Sequence, residues 1–267
     1  MKKIVRRTLK IAGITLGVLL LLIILIPVFF GGQIKDAVKG YINEELNAEV
    51  YFEDVGISVF KNFPNVTVTL DNFGVVNKEP FLGDTLADIT HLGIVVDLWS
   101  IFGDKYVVQK VTLDEPTIHA QVNREGIANW DIMKPDSAAV EEEPEVESEE
   151  VKESAPLALD LNAYSLSKAH VIYDDKPGEI YAEVVNLNHS GSGNFKGDLF
   201  DFDTETQAEA INLRMGGDTY ARNLALDADV TVSIDNANSV YTLKDNRIGL
   251  NALNLHFDGF VALTGDD

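Results

Sequence analysis

The sequence predicts a mainly β protein hung from a single membrane span. Three observations carry that prediction. Ile11 to Phe30 is an apolar run without a charge, preceded by Lys2, Lys3, Arg6, Arg7 and Lys10. From Val50 onward the hydrophobic period is two rather than 3.6, in one segment after another. No long helical pattern follows Leu46, and the segments are separated by turn residues, which points to hairpins and antiparallel pairing.

A helix of about 20 apolar residues spans the roughly 30 Å hydrocarbon core of a bilayer. The basic tail 1–10 carries no acid, so the positive-inside rule puts the N-terminus in the cytoplasm and the bulk of the chain across the membrane. A cleaved signal peptide is the competing reading. Its apolar core is shorter and ends in a small-x-small site, whereas this run ends Val28-Phe29-Phe30-Gly31-Gly32. The span 11–30 is therefore read as an uncleaved anchor. Residues 33–46 follow as a short amphipathic helix, with Ile34, Val38, Tyr41, Ile42 and Leu46 at spacings of three and four.

A first β region is expected over 50–134. Val66, Val68 and Leu70 alternate with Thr67, Thr69 and Asp71 in a half-buried strand. Strands are also read over Ile89 to Leu98, Tyr106 to Leu113 and Thr117 to Val122, the last two joined by a turn at Asp114, Glu115 and Pro116. Ile118, Ala120 and Val122 form the apolar side of the last of these. Ile127 to Met133 closes the region, with Trp130 expected as a buried plug.

Residues 135–156 contain a glutamate-rich stretch with almost no large apolar residue. Such a segment cannot offset its ordering entropy, so it is expected to be a disordered linker or insertion that a short flexible link could replace. A second β region, 157–267, resumes the alternation. Asp174 to Gly178 reads as a turn and His189 to Asn194 as a flexible loop. Val230, Val232 and Ile234 against Thr231, Ser233 and Asp235 give its cleanest strand. The last strand is followed by no closing element, so this region reads as truncated or as ending on an open edge.

Composition narrows the function. The formal net charge is -22 even with the basic tail included, which repels phosphate backbones and argues against nucleic acid. There is no cysteine, hence no disulfide framework. His91, His119, His170, His189 and His256 have no zinc-like spacing. Asp201, Asp203 and Glu205 resemble the start of a calcium loop, but Thr206 stands where that loop needs glycine, and a polar strand face explains them. No nucleophile elbow or dinucleotide loop is present. The expectation is a non-enzyme without cofactor or metal.

Val107 to Ile132 is the most informative stretch. A strand reaches Asp114 and Pro116, and the next runs into Asn123, Gly126 and the pair Asn129-Trp130. This pattern, with the basic start, single span and short helix before it, resembles the N-terminal region of the AsmA family of envelope proteins. The resemblance implies an extended, curved antiparallel β-sheet with an apolar inner face, in a single-pass protein of the inner membrane that lies mostly in the periplasm. It also implies a role in phospholipid movement or outer-membrane biogenesis, with membrane phospholipids as partners and other envelope proteins as a further class. Val66, Val68, Leu70, Ile118, Ala120, Val122, Val230, Val232 and Ile234 are the expected lining of a lipid groove. A non-catalytic scaffold or assembly factor with a closed sheet core fits the same alternation, because either arrangement needs one apolar face.

Overall fold

The computed structural model describes residues 39–40, 43, 46–100, 106–134, 157–193 and 198–263. The predicted span 11–30, most of the helix 33–46 and the acidic segment 135–156 lie outside them. Lys39, Gly40 and Asn43 are helical. The Asn43 side chain then mimics a strand partner: its Oδ1 accepts from the Val50 amide at 2.7 Å and its Nδ2 donates to the Val50 carbonyl at 3.1 Å.

Every named element beyond this point is a strand. They are β1 (Ala48–Tyr51), β2 (Asp54–Asn62), β3 (Asn65–Asn77), β4 (Thr85–Val96), β5 (Tyr106–Val122) and β6 (Leu157–Asp175). They continue with β7 (Ile180–Gly193), β8 (Leu199–Met215), β9 (Asp218–Asp235), β10 (Val240–Leu250) and β11 (Leu253–Ala262). All belong to one 11-stranded sheet in the order β1-β3-β4-β5-β6-β7-β8-β9-β10-β11, with β2 also on β3. β1 and β2 lie end to end along β3, opposite Gly74 to Asn77 and Asn65 to Asp71.

The pairing is antiparallel with one exception, which corrects the all-antiparallel expectation. β5 and β6 are parallel, with Tyr106 opposite Leu157 and Val122 opposite Asp175. A parallel pair needs a crossover of a dozen residues or more, and 123–156 supplies it. The strands on either side of the acidic segment thus join in a single sheet.

Two strands expected on either side of Asp114-Glu115-Pro116 are one. The chain does not reverse there: His91 pairs with Asp114 and Ile89 with Pro116, so β5 continues along β4. Glu115 takes φ 52°, a left-handed conformation inside the strand. Asn72 in β3, Lys168 in β6 and Asn186 in β7 do the same, at φ 51°, 50° and 50°. Each interrupts the pleat, so that two successive residues face the polar side and the side-chain alternation resumes in the opposite phase. Because Asn72, Glu115 and Lys168 fall in step, the register on both sides of them is kept. Aligned across neighbouring strands, these interruptions form one line across the sheet, here called the crease. The Gly-Ser run expected as a loop is likewise strand through Gly193, paired to both β6 and β8.

The tightest packing lies at the β1 corner. Ala48, Val50, Phe52, Leu70 and Val75 are buried together, with Val55, Phe73, Ala87, Leu92 and Ile132 against them. Leu70 precedes the β3 interruption and Val75 follows it, so the phase change keeps both on one face. Burying one such aliphatic side chain is worth about 1.5–3 kcal/mol.

Candidate functional site: one apolar sheet face

Cross-strand partners share a face, so the register identifies what that face carries. One row runs Val55, Leu70, Leu92, Leu113, Leu166, His189, Thr206, Ala228, Ile248 and Leu255, from β2 to β11. Across the crease a second runs Val50, Val75, Ala87, Ile118, Val171, Val184, Ile211 and Leu224. Most of these side chains are half-buried. Each strand packs mainly against its neighbours in the sheet, and among the described residues no second sheet or helix lies over the face.

The predicted lining residues all fall on this face. Val66 aligns with Val96 and Val108, and Val68 with Ile94 and Val111. The Val68 row continues through Tyr164, Gly191 and Thr204 to Val230, so two distant halves of the sequence meet in one line. Val232 stands between Phe202 and Leu243, and Ile234 between Phe200 and Tyr241. Beyond the crease, Ala120 is opposite Tyr173 and Val122 opposite Asp175.

Sequence reasoning missed Leu92, Ile94, Leu113, Leu166, Val171, Val184 and Ile211. The available signal was a pair of polar residues between two alternations of opposite phase, as in Leu70-Asp71-Asn72-Phe73 and Leu113-Asp114-Glu115-Pro116. Asn and Asp tolerate the left-handed region better than other side-chain-bearing residues, which makes Asn72 and Asn186 natural sites for such an interruption.

The face is not uniformly apolar. Tyr164 and His189 share a hydrogen bond at 2.9 Å, and His189 Nδ1 meets Thr206 Oγ1 at 2.8 Å. The Tyr164 ring lies over Gly191, where a Cβ would come within 2.5 Å of it. Phe202 approaches the same ring at 6.5 Å.

The opposite face is polar. Asp201, Asp203 and Glu205 are exposed and alternate with half-buried Phe202, Thr204 and Thr206, as a strand requires. Lys244 donates to Asp201 at 3.1 Å, and Arg247 sits between Asp227 and Asp229. Hydrogen bonding from Ser233 and then Lys244 holds the Asp201 carboxyl below its usual range. Lys168 and Glu115 pair at 2.7 Å along the crease, an exposed contact worth little.

The segment after β5 closes one corner of the apolar face, and here the expectation for Trp130 is corrected. Trp130 is 44% exposed, while its neighbour Asn129 is 1% exposed. Asn129 Oδ1 accepts from the Gln121 amide at 2.8 Å, its Nδ2 donates to the His119 carbonyl at 2.8 Å, and its own carbonyl accepts from Asn77 Nδ2 at 2.6 Å. A short amide can satisfy two backbone groups in that space, one as acceptor and one as donor, and an indole cannot. Trp130 instead leans on Tyr173, with ring centroids 6.0 Å apart. Asn123 builds the turn before it: its Oδ1 accepts from the Glu125 and Ile127 amides, and Gly126 supplies φ +81°. Pro116 is fully buried opposite Ile89, and Asp114 accepts from Ser167 on the polar face.

The strand-rich chain, its acidic-Pro interruption and its Asn-Gly-Asn corner agree with one known family. The model for the AsmA family matches residues 5–208. The chain belongs to the AsmA family. Membership makes it an envelope-associated bacterial protein. Comparison with curated proteins and with solved structures finds no match. Among the described residues, no AsmA-family anchor is visible, since no helix there is long and apolar enough to cross a membrane.

Proposed function

We propose that this AsmA-family chain is a non-catalytic lipid-handling protein of the periplasm. The span 11–30 holds it in the inner membrane with the N-terminus cytoplasmic. The apolar face of the sheet shelters phospholipid acyl chains as they move toward the outer membrane, in support of outer-membrane biogenesis. Phospholipids are its ligands, and other envelope proteins its partners.

One observation carries this reading: the apolar rows run across as many as ten strands, and away from the β1 corner, where Ile132 packs on Val50, Leu70 and Val75, no second sheet or helix among the described residues lies over them. At about 4.8 Å per strand the face extends about 45 Å. Exposed apolar patches beyond a few hundred Å² are rare on soluble proteins unless they bind something. Each methylene kept from water on such a face is worth about 0.8 kcal/mol. The transport itself needs no covalent step, and the acidic outer face keeps the protein soluble.

The test is photocrosslinking in cells, with a photoreactive residue at Val184 or Val232 on the apolar face and at Thr231 on the polar face. Phospholipid adducts are expected from the first two positions and not from the third. Val232→Asp places a charge on the same surface. On an open face it keeps the strand-dominated circular dichroism and lowers lipid capture at Val184, whereas in a closed core it unfolds the sheet. Absence of lipid adducts from every apolar-face position overturns the proposal in favour of a scaffold or assembly factor.

A further inference from the structure

We infer that the corner of the sheet beside β1 is a membrane-contact surface, seated on the outer leaflet of the bilayer that holds the anchor. The inference rests on the anchored topology proposed above. Four large apolar side chains are exposed along this end of the sheet, from Met133 beside β1 to Trp130 against Tyr173 of β6: Leu82 is 70% exposed, Met133 68%, Trp130 44% and Ile127 43%. They belong to two segments that hydrogen bonds tie together. Asn77 Nδ2 donates to the Asn129 carbonyl, and Gln121 Nε2 donates to Asp84 at 2.8 Å. Met133 bridges to Leu46, and Lys134 Nζ donates to the Asn43 carbonyl at 3.3 Å. The patch therefore surrounds the point at which the chain arrives from its apolar run.

The length of that approach favours a bilayer over any other occupant. The uncharged run ends at Ile34 and the bridge to Met133 is made by Leu46. Twelve residues reach about 18 Å as a helix and about 40 Å fully extended. Lys39, Gly40 and Asn43 are helical, and a helical linker holds the corner within about 18 Å of the end of the apolar run. Its composition suits that depth. Trp130, 44% exposed and leaning on Tyr173, presents an indole to the rim. Tryptophan is enriched at this level of a membrane. Lys78 and Arg124 lie in the same two segments, with stems long enough to leave the apolar patch and reach phosphate. The contact would bring the apolar face of the sheet against the leaflet at its β1 end.

The chain holds two tryptophans, and they lie at opposite ends of the strands, which makes the test direct. Trp99 follows β4 at the far end. The full chain is reconstituted in phosphatidylcholine vesicles with brominated acyl chains, as Trp99→Phe and as Trp130→Phe, and recovered by flotation. With Trp130 alone, emission is expected to shift to the blue and to lose most of its intensity relative to unbrominated vesicles. With Trp99 alone, intensity is expected to be unchanged. A third variant, Leu82→Trp with both native tryptophans replaced by Phe, repeats the measurement in the other segment of the corner. Floating protein whose probes at 130 and 82 are unquenched overturns the inference while leaving the anchor intact, as does equal quenching at Trp99. Protein that fails to float overturns the anchored topology itself.

Discussion

Shortening the acidic segment is the perturbation with the sharpest geometric consequence. The parallel pairing of β5 and β6 sets the distance this segment must cross. Lys134 lies at the end of the sheet where β5 finishes, because Met133 bridges Leu46 and Ala128 bridges Val122. Leu157 lies at the opposite end, beside Tyr106. The strand between, Tyr106–Val122, is 17 residues long, which at about 3.3 Å per residue separates the two ends by roughly 50 Å. A fully extended chain gains at most about 3.3–3.6 Å per residue, so roughly 15 residues are the minimum that reaches. The segment 135–156 is longer than that and meets the requirement. The expectation that a short flexible link could replace it is therefore corrected by the topology. Replacing 135–156 with a Gly-Ser linker of equal length is expected to leave the fold intact. A linker of about eight residues is expected to break the β5–β6 pairing and cut the sheet in two. The assay is hydrogen exchange read by mass spectrometry on peptides from β5 and β6, with the oligomeric state checked so that strand exchange between copies is seen. If a monomer with the short linker keeps full protection in Val107–Val122 and Ala163–Asp175, the parallel topology is wrong.

Asn129→Ala strands the Gln121 amide and the His119 carbonyl, and at about 1–3 kcal/mol per unsatisfied group it is expected to cost about 2–4 kcal/mol. Trp130→Ala, at a half-exposed site, is expected to cost about 1–2 kcal/mol, below the range for a fully buried tryptophan; urea midpoints in the reverse order would contradict the assignment of the corner. Gly191→Ala pushes a Cβ into the Tyr164 ring and is expected to cost about 1–3 kcal/mol, whereas Gly259→Ala, with nothing within 4 Å, should leave the melt unchanged. The hydrogen bond from His170, and another from Asn212, hold the Glu183 carboxyl below its usual range. A carboxylate depressed in the folded state contributes stability above its unfolded pKa and loses it as pH falls through the folded value. Asp201 and Asp235 are lowered in the same sense, so unfolding midpoints should fall as pH drops below about 4, and Glu183→Gln should flatten that slope.

Local chemistry made much of this protein legible from sequence. Strict alternation at Asn65 to Asp71 and at Val230 to Asp235 identified strands and their apolar sides, because a strand's period of two needs no tertiary information. The same alternation placed Val68 and Val230 on apolar faces, although only the register shows that they stand in one row. Asn123 and Gly126 announced a turn through side-chain acceptors and a positive φ, both properties of the residues themselves.

The tertiary structure decided what depends on partners. Asp114-Glu115-Pro116 has the composition of a turn, and it is continuous strand because β4 and β6 pair with the chain on both sides of it. Gly191 and its serines have the composition of a loop, and they are strand because Tyr164 fills the space that glycine leaves. Asn129 is buried and Trp130 half-exposed because two backbone groups at that corner, the Gln121 amide and the His119 carbonyl, need hydrogen bonds more than the corner needs apolar volume. Nothing in 135–156 specifies that β6 returns parallel to β5. Sequence alone determined which side of each strand is apolar; the pairing of distant strands determined that those sides form one continuous surface, since register is a property of two chains side by side and not of either one.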